Sequence, residues 1–166
     1  MTARAVLLAA AGIQSLGLAA FAADATFTVK QLTPETALKA AQAALAHCRG
    51  QGYQVAVAVV DRAGLTQALL RDRFAGAHTI EVATNKAWTA ASFRNSTGEL
   101  ERSTRAGTNM NGLRSVPRVT AIAGGLMIES SGTLVGAIGV SGAPGGDADE
   151  ACAVAGVKAI AEDLEF

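Results

Sequence analysis

GGLMIESSGTLVGAIGVSGAPGGDADEACAVAG, residues 124–156, joins two strand-like apolar runs through Ser131-Gly132 and then enters a glycine-rich loop and an acidic helix start. The runs at 119–128 and 133–140 read as a hairpin across that Ser-Gly turn. Glycine suits the loop because it takes positive φ freely and lets another backbone or a ligand come close. Asp147 and Glu150 have the Asp-x-x-Glu spacing of a capping box, which starts an amphipathic helix over 147–164. A glycine loop before a helix also invites a phosphate reading. The loop lacks a Gly-Lys-Ser/Thr ending, and Asp147, Asp149 and Glu150 would repel a phosphate, which sets the nucleotide reading aside.

Upstream, residues 55–60 (VAVAVV) form a continuous, mostly β-branched run suited to a buried strand. Asp61-Arg62-Ala63-Gly64 turns the chain and 65–71 returns, giving a second hairpin. Thr33 as N-cap and Pro34 at the first helical position start a helix that Gly50 and Gly52 end. Helical spacing returns over 77–94, with Ile80, Ala83, Ala87, Ala90 and Ala91 on one face, whose small alanines imply close packing. Residues 95–117 are polar and hold no clear strand, with a short helix expected near 98–104. A segment of this kind and length points to function or mobility. Two hairpins and three main helices predict an α+β domain, an antiparallel β-sheet with helices packed on its faces.

The chain has 166 residues, half of them apolar and only 4% aromatic, so Ala, Val, Leu and Ile must build the core. Its formal charge is zero with no block of one sign, which recommends neither nucleic acid nor an anionic membrane surface as a partner. Residues 1–23 have an early Arg4, an apolar run over 5–21 and the small-residue ending Ala20-Phe21-Ala22-Ala23. That order is the one of a secretory signal peptide cut after Ala22 or Ala23, leaving one domain over 24–166 in a periplasm or beyond. Export leaves two readings of Cys48 and Cys152: a disulfide if their helices lie side by side, or two separate buried residues.

GAIGVSGAPGGDADEACAVAG resembles the C-terminal signature of the GlcG/HbpS family of haem-binding-type proteins, which is related to the C-terminal domain of PduO. The stretch 55–93 resembles the same family through Asp61, Gly64, Arg71, Asp72, His78, Ala83, Lys86, Ala87, Thr89, Ala90 and Phe93. The resemblance implies a profilin-like fold, homo-oligomers (octamers in some members) and haem or a related tetrapyrrole as ligand. One stretch departs from the family: Gly124-Gly125-Leu126-Met127-Ile128 stands where many members have Gly-Gly-x-Pro-Ile.

No catalytic constellation is visible, and two histidines cannot make a His-rich metal site. His78, where a hairpin ends and a helix begins, is the candidate for iron or for a substrate proton. Arg71 and Lys86 are candidate partners for haem propionates or a small carboxylate. Phe93 and Met110 are candidate soft, apolar contacts, with Phe74 and Trp88 also available. The expected function is an exported small-ligand binding protein for haem or a related tetrapyrrole, in haem handling or redox sensing. Two alternatives stand beside it. One is an enzyme or accessory protein acting on a small organic acid such as glycolate, with His78 as acid/base; the other is a structural oligomer without a site.

Overall fold

The computed structural model describes residues 24–165, so the expected signal peptide lies outside the described residues. Helix α1 (Pro34–Gly50) begins as its sequence dictates, with the Thr33 hydroxyl accepting from the Thr36 amide at 3.3 Å and Pro34 in the first turn. Strand β1 (Ala56–Asp61) is buried along its whole length, as its unbroken apolar run requires. At its end Asp61 Oδ1 accepts from the Ala63 and Leu65 amides at 2.8 and 3.0 Å, which turns the chain into β2 (Thr66–Arg71). Helix α2 (His78–Phe93) and a short α3 (Thr97–Ser103) follow. Strands β3 (Gly125–Ser130) and β4 (Thr133–Ser141) form the second hairpin, and α4 (Gly146–Lys158) comes last.

The strands make one antiparallel sheet in the order β2-β1-β4-β3. Alternation along β1 sends Val57 and Val59 into a core shared with α1 and α4. Ala56, Ala58 and Val60 point the other way, onto Ala83, Ala87, Ala90 and Ala91 of α2. The small side chains let α2 lie almost on the sheet. At the closest point Gly139 of β4 faces the helix backbone, where an added Cβ would collide with the Ala83 carbonyl oxygen. Cys48 of α1 and Cys152 of α4 are bonded, with Cα atoms 5.6 Å apart, so the two helices on the other face are cross-linked side by side. Among the described residues no helix is long and apolar enough to cross a membrane.

The antiparallel α+β arrangement expected from the sequence is the one observed. Three local expectations are corrected. Residues 119–124 do not extend β3, because their amides find side chains instead of a ladder. Thr120 N–H donates to Thr89 Oγ1 at 3.0 Å, Ala123 N–H to Glu101 Oε2 at 3.0 Å and Gly124 N–H to Glu150 Oε2 at 3.3 Å. The Asp147–Glu150 capping box does not form: Gly145 is the N-cap of α4, and Glu150 reaches across to Gly124. The last helix stops at Lys158, and a 3-10 turn over Glu162–Leu164 replaces its expected final turns.

Closing a loop with a sequence separation of 104 restricts the unfolded chain strongly. Replacing both cysteines (Cys48→Ala with Cys152→Ala) is expected to lower unfolding free energy by about 2–4 kcal/mol in urea titrations, with the native fold kept.

Candidate ligand-binding site

At one end of the sheet, where β1 begins, β4 ends and β2 leaves, the chain encloses an open cavity of about 640 Å³. That lies within the roughly 300–1,000 Å³ usual for small-ligand sites. One wall is residues 52–54, which follow α1, and a second is the turn from Phe74 to Thr79. Val82 and Lys86 of α2 form the inner surface, and the glycine loop 142–146 with Asp149 closes the far side. The Gln54 Oε1 atom is buried beside this cavity without a hydrogen-bond partner.

Lys86 and Asp149 meet at the inner end. Lys86 is 1% exposed, with its Nζ 2.7 Å from Asp149 Oδ2 and 3.0 Å from the Val140 carbonyl oxygen. Asp149 Oδ1 accepts from the Ala143 amide at 2.9 Å. Burial pushes the Asp149 carboxyl above the usual carboxylate range, against the pull of the Lys86 ammonium and the Ala143 and Gly142 amides. Gly124 makes room for the pair: at φ +117°, a Cβ there would sit 2.7 Å from Asp149 Cβ and 2.9 Å from Lys86 Nζ. The Lys86 charge is therefore matched inside the protein. The acidic start of α4 holds a lysine instead of a metal, and no group of three or more metal-ligating His, Cys, Asp or Glu side chains occurs among the described residues.

The turn that carries His78 is held from below. Asp72 is buried and takes two hydrogen bonds from Arg49 of α1, at 2.7 and 2.9 Å, and one from the Arg73 amide at 2.8 Å. The Arg49 guanidinium and the Arg73 amide hold the Asp72 carboxyl below the usual carboxylate range, outweighing its burial. Arg71 Nη1 donates to the Ala75 carbonyl within the same turn. The Thr79 hydroxyl donates to the Gly76 carbonyl at 2.6 Å, fixing the first turn of α2. His78 is the first residue of that helix and is exposed on the cavity. Its imidazole folds over Gly76, where a Cβ would lie 2.7 Å from His78 Cε1. No described residue hydrogen-bonds the ring.

The cavity thus gathers Phe74, His78 and Lys86, while Arg71, Phe93, Met110 and Trp88 are not among its lining residues. Arg71 is occupied with Ala75. Phe93 ends α2, about 22 Å along the helix axis from His78. Met110 is 39% exposed just before a 3-10 turn over Asn111–Ser115, away from the cavity. Trp88 packs between Gly64 and the Arg118 guanidinium, whose Cζ is 4.6 Å from the ring centroid. Among the cavity residues that the sequence did not single out are Asp149 and Ile122. Asp149 looked like a helix-capping acid, and Ile122 lay within a stretch expected to be strand.

A family profile described as "Haem degrading protein HbpS-like" matches residues 32–158. The chain belongs to the HbpS-like family. HbpS of Streptomyces reticuli, in a doubly substituted form, is 38% identical with a TM-score of 0.76; the match covers 86% of this chain and 97% of that one. PduOC in its complex with haem is 28% identical with a TM-score of 0.74, over 78% of this chain and 95% of that one. An uncharacterised 15.0 kDa protein of Citrobacter freundii, from the dhaT-dhaS intergenic region, is 32% identical over 69% of this chain and 82% of its own length.

Lys86→Met leaves the Asp149 carboxylate buried without its partner, and is expected to cost about 3–5 kcal/mol of unfolding free energy in urea titrations. Asp149→Leu combined with Lys86→Met removes both charges and should recover part of that loss. Asp72 is more acidic folded than unfolded, so its stabilising contribution is present above the unfolded value near 3.8 and is lost as pH falls through the lowered one. Thermal melts of Asp72→Asn between neutral and acidic pH should therefore lose less stability on acidification than those of the parent protein.

Proposed function

We propose that this chain is an exported binding protein for haem or a related tetrapyrrole, with His78 as the iron ligand. The observation that carries the reading is the His78 imidazole, hydrogen-bonded by no described residue and exposed on a cavity of about 640 Å³. The residues present fit such a group in part. Phe74, Val82, Ile122 and Pro144 offer apolar surface, and the imidazole offers a ring nitrogen as a ligand. Haem, when bound, supplies an iron centre able to take an axial ligand and change oxidation state. The Arg49–Asp72 pair and the Thr79–Gly76 hydrogen bond hold the turn that presents His78. Lys86 is committed to Asp149, and Arg71 does not line the cavity, so neither stands ready there as a partner for propionates. The PduOC–haem complex supports the ligand class.

Export fits the leader-like residues 1–23 and the buried Cys48–Cys152 disulfide, which an oxidising compartment maintains. A role in haem handling or redox sensing, and self-association into homo-oligomers, belong to the same reading. The small-acid reading is weaker, because Lys86 is already paired with Asp149 and Arg71 does not line the cavity.

Titration of the chain from Asp24 with hemin, followed in the Soret band, tests this. A sharp shift saturating at low-micromolar hemin is expected, with His78→Ala weakening binding by about tenfold or more. A broad change that never saturates, or one indifferent to His78→Ala, would contradict the assignment.

A further inference from the structure

Phe74 stands at the cavity with 80% of its surface exposed, and Ile122, also lining the cavity, is 47% exposed. Few large apolar side chains of the described residues are so open, and leaving a phenyl ring in water forgoes the gain of burying its apolar area. The topology sets these two residues apart. Phe74 follows β2 and Ile122 precedes β3, and β2 and β3 are the two edge strands of the sheet. Three strand spacings separate those edges, about 14 Å. The cavity therefore spans the end of the sheet from edge to edge, with an exposed apolar group at each side and His78 four positions beyond Phe74 on the same turn. The backbone on either side of Phe74 is tied by the Ala75 N–H to Asp72 carbonyl bond at 3.1 Å and by the grip of Arg49 on Asp72. An exposed ring carried by a tied turn at the cavity is placed to be covered by something flat that enters it.

We propose that Phe74 is the aromatic wall of the binding site, against which a flat conjugated macrocycle stacks, with Ile122 as the apolar edge opposite. This rests on the tetrapyrrole reading and adds the group that selects for a flat ring over a small acid. The iron ligand and the wall are then separate contributions: His78 reads the metal, and Phe74 reads the ring plane whether or not a metal is present.

The test uses the chain from Asp24 with two probes, hemin and metal-free protoporphyrin IX, on Phe74→Ala, Phe74→Trp and His78→Ala. Phe74→Ala is expected to weaken both probes by about tenfold, Phe74→Trp to retain them, and His78→Ala to weaken hemin alone. Because the phenyl ring is in solvent, Phe74→Ala should melt at the temperature of the parent protein. Affinities of Phe74→Ala within about twofold of the parent for both probes would overturn the proposal. So would a changed oligomeric state with unchanged affinity, which would make Phe74 a contact for a second copy. If neither probe binds the parent protein, the tetrapyrrole reading fails. The wall is then judged with anilinonaphthalene sulfonate: fluorescence enhancement lost in Phe74→Ala keeps an aromatic-ligand wall, and enhancement unchanged removes it.

Discussion

Lys86 and Asp149 bring two full charges into the interior, and much of the site's architecture follows from how that is made tolerable. Lys86 belongs to α2 on one face of the sheet, and Asp149 to α4 on the other, so the pair reaches around the sheet's end. Burying either charge alone would cost several kcal/mol. Here the ammonium also donates to the last turn of β4 through the Val140 carbonyl, and the carboxylate also accepts from Ala143 in the glycine loop. The glycine at 124 is part of the same arrangement, since any side chain there would enter the space of the pair. The loop 142–146 consequently lies where the ion pair holds it, and the cavity has a fixed inner end.

The last turn of α1 fixes the remaining walls. Cys48 is bonded to Cys152, three residues beyond Asp149, while the next residue, Arg49, grips Asp72 beneath the His78 turn. The Cys48 carbonyl accepts from Tyr53 at 2.9 Å, which brings residues 52–54 to the cavity. Three cross-links of different chemistry (an ion pair, a disulfide and a bidentate guanidinium–carboxylate contact) thus join α2, α4, α1 and the β2–α2 turn. The buried charges among them, Lys86, Asp149 and Asp72, each have a partner inside the protein. Left on the cavity without a described hydrogen-bond partner are the His78 imidazole and the Gln54 Oε1 atom, beside exposed apolar surface, a combination compatible with the proposed ligand class.

The strands were legible because their signals are local. The run 55–60 has no alternation and lies buried on both faces, and Asp61 and Ser131-Gly132 mark the turns. The glycine-and-alanine contact between α2 and the sheet was likewise foreshadowed by Ala83, Ala87 and Ala90. The stretch 119–124 misled because its apolar residues look like strand, whereas its amides bond to Thr89, Glu101 and Glu150, partners that sequence spacing does not reveal. Asp149 was hidden for the same reason: at helical spacing an acid near a helix start reads as a cap, and its true partner is 63 residues away. His78 was visible from its place at a hairpin–helix junction. Lys86 was visible as a residue and not as half of a pair, and that difference changes it from a ligand clamp to a structural anchor.

The most direct measurement is a crystal structure of the chain from Asp24 grown with hemin. The account predicts one haem in the cavity with its iron bound to His78, and Lys86 still paired with Asp149. Iron held by another residue, haem bound outside the cavity, or Lys86 released from Asp149 to meet a propionate would contradict it.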